Sequence, residues 1–193
     1  QMVVEHTSLQ GQMGRDYALL SGEEEAVAQA IYEHYLPRYA GDDLPESLVG
    51  IAVGLADRLD SLAGLFTVGL SPTGSADPFG LRRAALGAVQ IMIGREIPLS
   101  FHDALEAFNN RCGNLAGPEV LDAVETFIRQ RLQRYLLDQG YRYDLVGAIL
   151  AERGDNPYLA ARTVEEFGPW VERGDWMDLL NAYSRCVRIT RGH

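Results

Sequence analysis

Three groups of side chains in this sequence have the types and spacing to do chemistry. His6, His34 and Asp57 each fall on a stripe of helical periodicity, which places them on buried or half-buried helix faces. A histidine–aspartate set converging between helices could hold a divalent metal and activate water for phosphoester hydrolysis. The competing structural reading makes His34 a core histidine bonded to one carboxylate, fixing helix packing. A metal centre needs more ligands than these, and the first two helical stretches hold no His-Asp dipeptide, so no metal is assigned.

Arg82 and Arg83 follow a Gly-Ser turn and stand in the first turn of a helix, where positive charge opposes the helix dipole. Beside free N-terminal amides the pair makes an anion-accepting corner. The alternative pairs one arginine with Asp77 or another acid and leaves the other solvated. Arg129, Arg131, Arg134 and Arg142 are interleaved with Tyr135, Tyr141 and Tyr143. Between residues 126 and 143 Asp138 is the one acid against these four arginines. Such a stretch contacts RNA by phosphate pairing and base stacking, or it is a solvated face balanced by Glu119, Asp122 and Glu125. Trp170 and Trp176 read as core anchors of the last helical pair.

Composition excludes several chemistries. The 193 residues contain no lysine, so Schiff-base chemistry and a phosphate loop with its lysine are ruled out. Seventeen arginines against 27 acids give net −10, and the imbalance is local: residues 1–80 carry 12 acids and three arginines, while the rest is nearly neutral. An acidic first part does not bind a phosphate backbone by bulk charge, so any nucleic-acid contact falls to a local arginine cluster or to the second part. No apolar run approaches the roughly 18 residues of a membrane span. Cys112 and Cys186 lack paired spacing and read as reduced thiols. With no secretory signal visible, the expected location is cytoplasmic.

The elements that must position these groups are all helical. Met2, His6, Leu9, Met13, Tyr17 and Leu20 form a first stripe; Ser21 and Glu24 make a capping-box signature before a second helix carrying Val27, Ala30, Ile31 and His34. A third helix, roughly 46–69, has one apolar stripe (Leu48, Ile51, Ala52, Leu55, Leu59, Leu62, Ala63, Phe66). A second stripe of small residues (Gly50, Gly54, Asp57, Ser61, Gly64) lets a neighbour approach closely, so this helix is expected to be central and buried on both sides. Asp77 as N-cap and Pro78 as first residue open a helix to about Gly94. Ser100 caps the next, ending near Gly113. Pro118 opens a long helix to about Gln139 with Leu121, Val124, Ile128, Leu132 and Tyr135 inward; helices at about 144–152, 157–173 and 175–190 follow. The expected fold class is all-α in two helical units, 1–113 and 118–193, divided at the Gly113–Pro118 stretch.

Within this frame three motifs are specific. Leu9-Gln10-Gly11-Gln12-Met13-Gly14-Arg15-Asp16-Tyr17-Ala18 resembles the "ELQGxMGxxYA" segment of the bacterial glycyl-tRNA synthetase beta subunit family, and Glu33-His34-Tyr35-Leu36-Pro37-Arg38 resembles its "EHYLPR". The run Ala56-Asp57-Arg58-Leu59-Asp60-Ser61-Leu62, then Pro72-Thr73-Gly74-Ser75-Ala76-Asp77-Pro78-Phe79 and Leu81-Arg82-Arg83-Ala84-Ala85, is similar to "ADRLDxL…PTGSxDPFxLRRAA". A weaker match from about 118 to 193, including Gly140-Tyr141-Arg142-Tyr143-Asp144, resembles the helical anticodon-binding (DALR-like) region that follows in the family.

The resemblance implies a C-terminal-side fragment: an HD-like helical domain over 1–113 and part of an anticodon-binding domain over 118–193. It implies a heterotetramer whose alpha subunit holds glycine, ATP and magnesium, while the beta subunit recognises glycine tRNA. The partners so implied are that tRNA, the alpha subunit and the remainder of the beta subunit, with no DNA and no membrane. No cofactor is expected in this chain. His34 and Asp57 fall where metal-dependent HD hydrolases place ligands, and Glu5-His6 replaces the dipeptide naming those hydrolases. They are therefore expected to be vestigial in a scaffold kept for shape. Arg82, Arg83, Arg129, Arg131, Arg134 and Arg142 are the candidate tRNA contacts. The alternatives are a metal-dependent HD-type phosphohydrolase and a helical docking scaffold offering the acidic helices of residues 23–60 to a protein partner.

Overall fold

The computed structural model describes residues 6, 9–39, 41–74 and 76–190. Among them are nine α-helices and no strand: α1 (Gln12–Leu20), α2 (Glu25–Glu33), α3 (Leu48–Thr67), α4 (Leu81–Gly94), α5 (Phe101–Arg111), α6 (Pro118–Asp138), α7 (Tyr143–Arg153), α8 (Pro157–Val171) and α9 (Trp176–Thr190). The chain is all-α, as periodicity implied. None of the described helices is long and apolar enough to cross a membrane.

Two helices organise the rest. Helix α3 packs against α2, α4, α5 and α6, and α4 packs against α3, α6 and α8. Small residues are buried on both: Gly50 and Gly54 on α3 admit Glu33 and His34 at the end of α2, and Gly87 on α4 admits Arg58 of α3. Leu55, Leu59 and Leu62 face inward as expected, but Leu48 is 85% exposed and Ala52 is also exposed. A stripe tells which residues share a face, not how far along the helix a partner extends. On the small-residue side Gly50 and Gly54 are buried, whereas Asp57 and Gly64 are exposed.

One core runs from Leu55 through Val89, Phe101, Val124 and Ile128 to Val146 and Val164, so it passes beneath the Gly113–Pro118 connection that divides the chain in sequence. That connection is itself anchored: the Asn109 amide donates to the Ala116 carbonyl at 2.9 Å and its oxygen accepts the Ala116 N–H at 2.9 Å.

Four local expectations are corrected. Among the described residues of the first stripe the α-helix begins at Gln12, after Gly11 at φ 82°, a left-handed conformation that a right-handed helix does not pass through. Met2 lies outside the described residues, and His6 is exposed and outside any helix. The Ser21–Glu24 capping box does not form: Ser21 closes α1, and Glu24 precedes α2 without a side-chain cap. Helix α4 starts at Leu81, three residues after Pro78, with Gly80 at φ 68° as N-cap; Asp77 still caps it from outside, accepting the N–H of Leu81 at 2.8 Å and of Arg82 at 3.0 Å. Ser47 and Ser100 cap α3 and α5 with their hydroxyls, and Pro118 opens α6. Trp170 is half exposed, covered on one side by the Arg173 guanidinium 5.0 Å above its ring, and α9 buries no residue, so the tryptophans do not anchor the last pair; α8 joins the core through Ala160 and Val164 instead.

Candidate functional site

A cleft of about 230 Å³ lies where the end of α2, the middle of α3 and the start of α4 meet. Its lining brings together His34, Asp57 and Arg83 from the expected sites, and adds Arg38, Arg58 and Phe79. The centre of the arrangement is Arg58. Its residue is 7% exposed, and its guanidinium reaches back to the chain that closes α2. Nη1 donates to the carbonyls of His34 and Gly54, both at 2.8 Å; Nη2 donates to Leu36 at 2.7 Å, Tyr35 at 3.2 Å and Pro37 at 3.4 Å. Gly54 and Gly87 leave the room: a Cβ at Gly87 would stand 2.7 Å from Nε, and one at Gly54 3.3 Å from Nη1. Burial pulls the Arg58 pKa down, partly opposed by the neighbouring Asp57 charge. An arginine nonetheless stays protonated at neutral pH, so the cleft wall keeps a full positive charge.

Two ion and hydrogen-bond clamps hold this wall. Arg38 Nε donates to Asp42 at 2.8 Å, and its backbone N–H donates to the same carboxylate at 2.8 Å. The Arg38 hydrogen bond outweighs burial and pushes the Asp42 pKa down to about 2, from an ordinary 3.8. A carboxyl depressed on folding adds stability above its unfolded pKa and loses it as pH falls through the folded value. We therefore expect about 2 kcal/mol from Asp42 at neutral pH, lost between about pH 4 and pH 2. Urea unfolding of wild type and Asp42→Asn across that range checks it: the two curves should converge at the acid end. Glu33, 4% exposed, is the second clamp; it accepts from Gln29 Nε2 at 2.9 Å and from the Ser47 N–H at 3.0 Å and hydroxyl. Burial raises its pKa, but the hydrogen bonds from Gln29 and Ser47 together prevail and hold it below the ordinary 4.5.

His34 and Asp57 share the cleft, yet their surroundings do not suit a cation. The His34 imidazole lies against the Tyr35 ring at 3.9 Å and makes no side-chain hydrogen bond among the described residues, so the carboxylate partner weighed from sequence is replaced by an aromatic contact. No group of three His, Cys, Asp or Glu residues able to hold a metal ion is found among the described residues. The lining offers one imidazole and one carboxylate beside three guanidinium groups, Arg38 (paired with Asp42), Arg58 and Arg83, whose charge repels a divalent ion and attracts an anion.

The candidate arginines divide by what already occupies them. Arg82 is bound to its own loop: Nη1 donates to the Ala76 carbonyl at 3.0 Å and Nη2 to Gly74 at 2.6 Å. With Asp77 taking the Leu81 and Arg82 amides, the anticipated corner of amides plus two arginines reduces to Arg83 alone, exposed and resting on Gly80. On α6, at about 100° per residue, Arg129 and Arg131 flank the buried stripe on opposite sides, so the basic stretch is not one face. Arg129 is exposed, with Nε against Gly154. Arg131 lies 5.5 Å above the Phe127 ring. Arg134 pairs with Asp138 at 3.0 Å, and Arg142 pairs with Asp144 at 2.7 Å and Glu172 at 3.6 Å. A larger cleft of about 540 Å³ gathers Tyr135, Tyr141 and Tyr158, but Glu96 and Glu165 also line it, and its one arginine, Arg162, is paired with Glu166. Its net charge is unsuited to a phosphate.

Sequence comparison places this architecture. The family profile for the glycyl-tRNA synthetase beta subunit matches residues 1–151. The chain belongs to that family. A glycine–tRNA ligase beta subunit of Syntrophus aciditrophicus (strain SB) is 47% identical over 195 residues, covering 99% of this chain and 28% of the relative. The corresponding protein of Clostridioides difficile (strain 630) is 38% identical, covering 98% of this chain and 28% of the relative. The chloroplastic/mitochondrial glycine–tRNA ligase 2 of Arabidopsis thaliana is 39% identical over 99% of this chain and 18% of its own length. The chain thus spans about a quarter of the bacterial relatives. Of the family's motif residues, Arg58 had no role assigned from sequence, although its i, i+4 spacing from Gly54, between Leu55 and Leu59, marks a long side chain on a buried face.

Proposed function

We propose that this chain is a tRNA-recognising and scaffolding portion of the beta subunit of a glycine–tRNA ligase, with glycine activation by ATP and magnesium on the alpha subunit. The observation that carries the reading is similarity at 38–47% identity along nearly the whole chain to proteins named glycine–tRNA ligase beta subunit. The charge layout supports it: in an acidic chain, arginines at the cleft and on α6 to α7 supply local cationic surface. Arg129, Arg134 and Arg142 are proposed to contact phosphates directly, Arg134 and Arg142 by exchanging their exposed, solvent-screened carboxylate partners for phosphate. Arg131, half-buried against Phe127, and Arg82, bound to the 74–76 carbonyls, hold shape near the contacts.

The test uses the full-length beta subunit assembled with the alpha subunit and a glycine tRNA transcript. Affinity should fall steeply as salt rises from about 50 to 200 mM, each phosphate contact adding somewhat under one to the log–log slope. The combined Arg129→Ala, Arg134→Ala, Arg142→Ala variant should bind about 10- to 100-fold more weakly at low salt, with a slope smaller by about two to three. Identical affinity and slope in that variant would overturn the reading.

A further inference from the structure

The cleft at the end of α2 is specific enough to say what it takes. Its volume of about 230 Å³ lies below the ~300–1,000 Å³ of sites for drug-sized ligands, which leaves room for a phosphate and one ring. Arg58 puts positive charge on the wall, and its hydrogen-bond partners are main-chain carbonyls, not a carboxylate that would cancel it. Arg83 supplies a second, accessible guanidinium. It lies over Gly80, where a Cβ would approach Nη2 to 3.0 Å, so the missing side chain is what lets the arginine fold toward the cleft. Asp77 is turned to the Leu81 and Arg82 amides, and no ion pair to Arg83 is found among the described residues.

Beside these charges stands aromatic surface with no burial to account for it. Phe79 is 53% exposed and Tyr35, its ring against His34, is 38% exposed, and both line the cleft. An exposed ring next to an accessible guanidinium is how proteins hold a single unpaired nucleotide: the base stacks, and the phosphate pairs with the arginine. Asp57, the one carboxylate of the lining, faces the same space and offers an acceptor for a base amine or a ribose hydroxyl.

We propose that this cleft binds one unpaired nucleotide of the tRNA, its phosphate on Arg83 within the field of Arg58 and its base on Phe79. The proposal rests on the tRNA-recognising reading above and adds the chemical unit and the place. It is tested in the full-length alpha–beta assembly with a glycine tRNA transcript, comparing Arg83→Ala, Arg83→Gln, Arg83→Lys and Phe79→Ala by salt-dependent affinity and hydroxyl-radical footprinting. Arg83→Ala and Arg83→Gln should bind about 10-fold more weakly and lower the salt slope by about one, while Arg83→Lys keeps the slope. Phe79→Ala should weaken binding about 5- to 100-fold with the slope unchanged, as expected for lost stacking. One unpaired nucleotide protected in the wild type should lose protection in the Arg83→Ala and Phe79→Ala variants. If the Arg83 and Phe79 variants match wild type while the Arg129, Arg134, Arg142 variant is weakened, the cleft assignment falls and the general reading stands. If that triple variant is also unchanged, the general reading falls with it. Loss at Arg83 with no effect at Phe79 overturns the nucleotide and leaves a bare phosphate contact.

Discussion

Arg58→Ala is expected to destabilise the chain by about 3–5 kcal/mol, the largest single-residue effect at the cleft. The guanidinium makes charge-assisted bonds to carbonyls from two segments, His34 to Pro37 and Gly54, and each such bond is worth roughly 1.5–3 kcal/mol. Removing it leaves at least two acceptors in the α2–α3 contact without donors and opens a void beside Gly87. For a chain of this length about 2–4 °C accompanies each kcal/mol, so the midpoint of thermal unfolding should fall by about 10 °C. Arg58→Lys should recover less than half, since a single ammonium cannot span carbonyls on both segments at once. Arg58→Met separates packing from hydrogen bonding by refilling volume without donors. Urea unfolding of the three variants checks this, and a loss under about 1 kcal/mol in Arg58→Ala would show that solvent entering the cleft satisfies those carbonyls.

That residue also marks where sequence reasoning stopped. Helical periodicity located α3, α6 and their inward leucines because burial repeats every three to four residues and leaves its trace locally. Ser47, Ser100 and Pro118 start their helices by interactions within one turn, so their roles are legible. The failures involve distance. Arg58 bonds to residues more than 20 positions earlier, and nothing local says whether an arginine on a helix is solvated or folded into a turn. Arg82 and Arg83 are adjacent and look equivalent, yet one is spent on its own loop and the other lines the cleft. Four arginines close together in sequence suggested one basic face on α6 to α7, but helical geometry splits Arg129 from Arg131, and acids on neighbouring turns occupy Arg134 and Arg142. His34 and Asp57 do reach the same cleft. The guanidinium groups of Arg58, bonded to the His34 carbonyl, and of Arg83 line it with them.

Gly50→Ala should cost about 2–4 kcal/mol although it adds one methyl group. Glycine in a helix interior is ordinarily less stable than alanine by about 1 kcal/mol, so the naive expectation is a gain. Here the added Cβ would overlap the Glu33 carboxylate, meet the Glu33 Cβ at 2.6 Å and the Ser47 hydroxyl at 2.9 Å. Glu33 cannot retreat freely, since it is buried and bound to Gln29 and to Ser47. Overpacking therefore either shifts α2 from α3 or breaks the hydrogen bonds that hold the carboxylate ionised. The two outcomes separate by pH. With the pKa of Glu33 depressed, its stabilisation is present above about pH 4.5 and is lost as pH falls through the lower folded value. If Gly50→Ala breaks the carboxylate bonds, its penalty shrinks on acidification; if it only pushes the helices apart, the penalty is independent of pH. Broken bonds are the expected result, because the nearest atom belongs to the carboxylate. The double variant Gly50→Ala, Glu33→Ala should then be less damaged than the sum of its parts by at least 1 kcal/mol, a coupling that distant, independent sites do not show. Strict additivity in that cycle would mean that Gly50 and Glu33 do not compete for the same space. It would also remove the basis for reading the small residues of α3 as the device that lets the end of α2 reach the cleft.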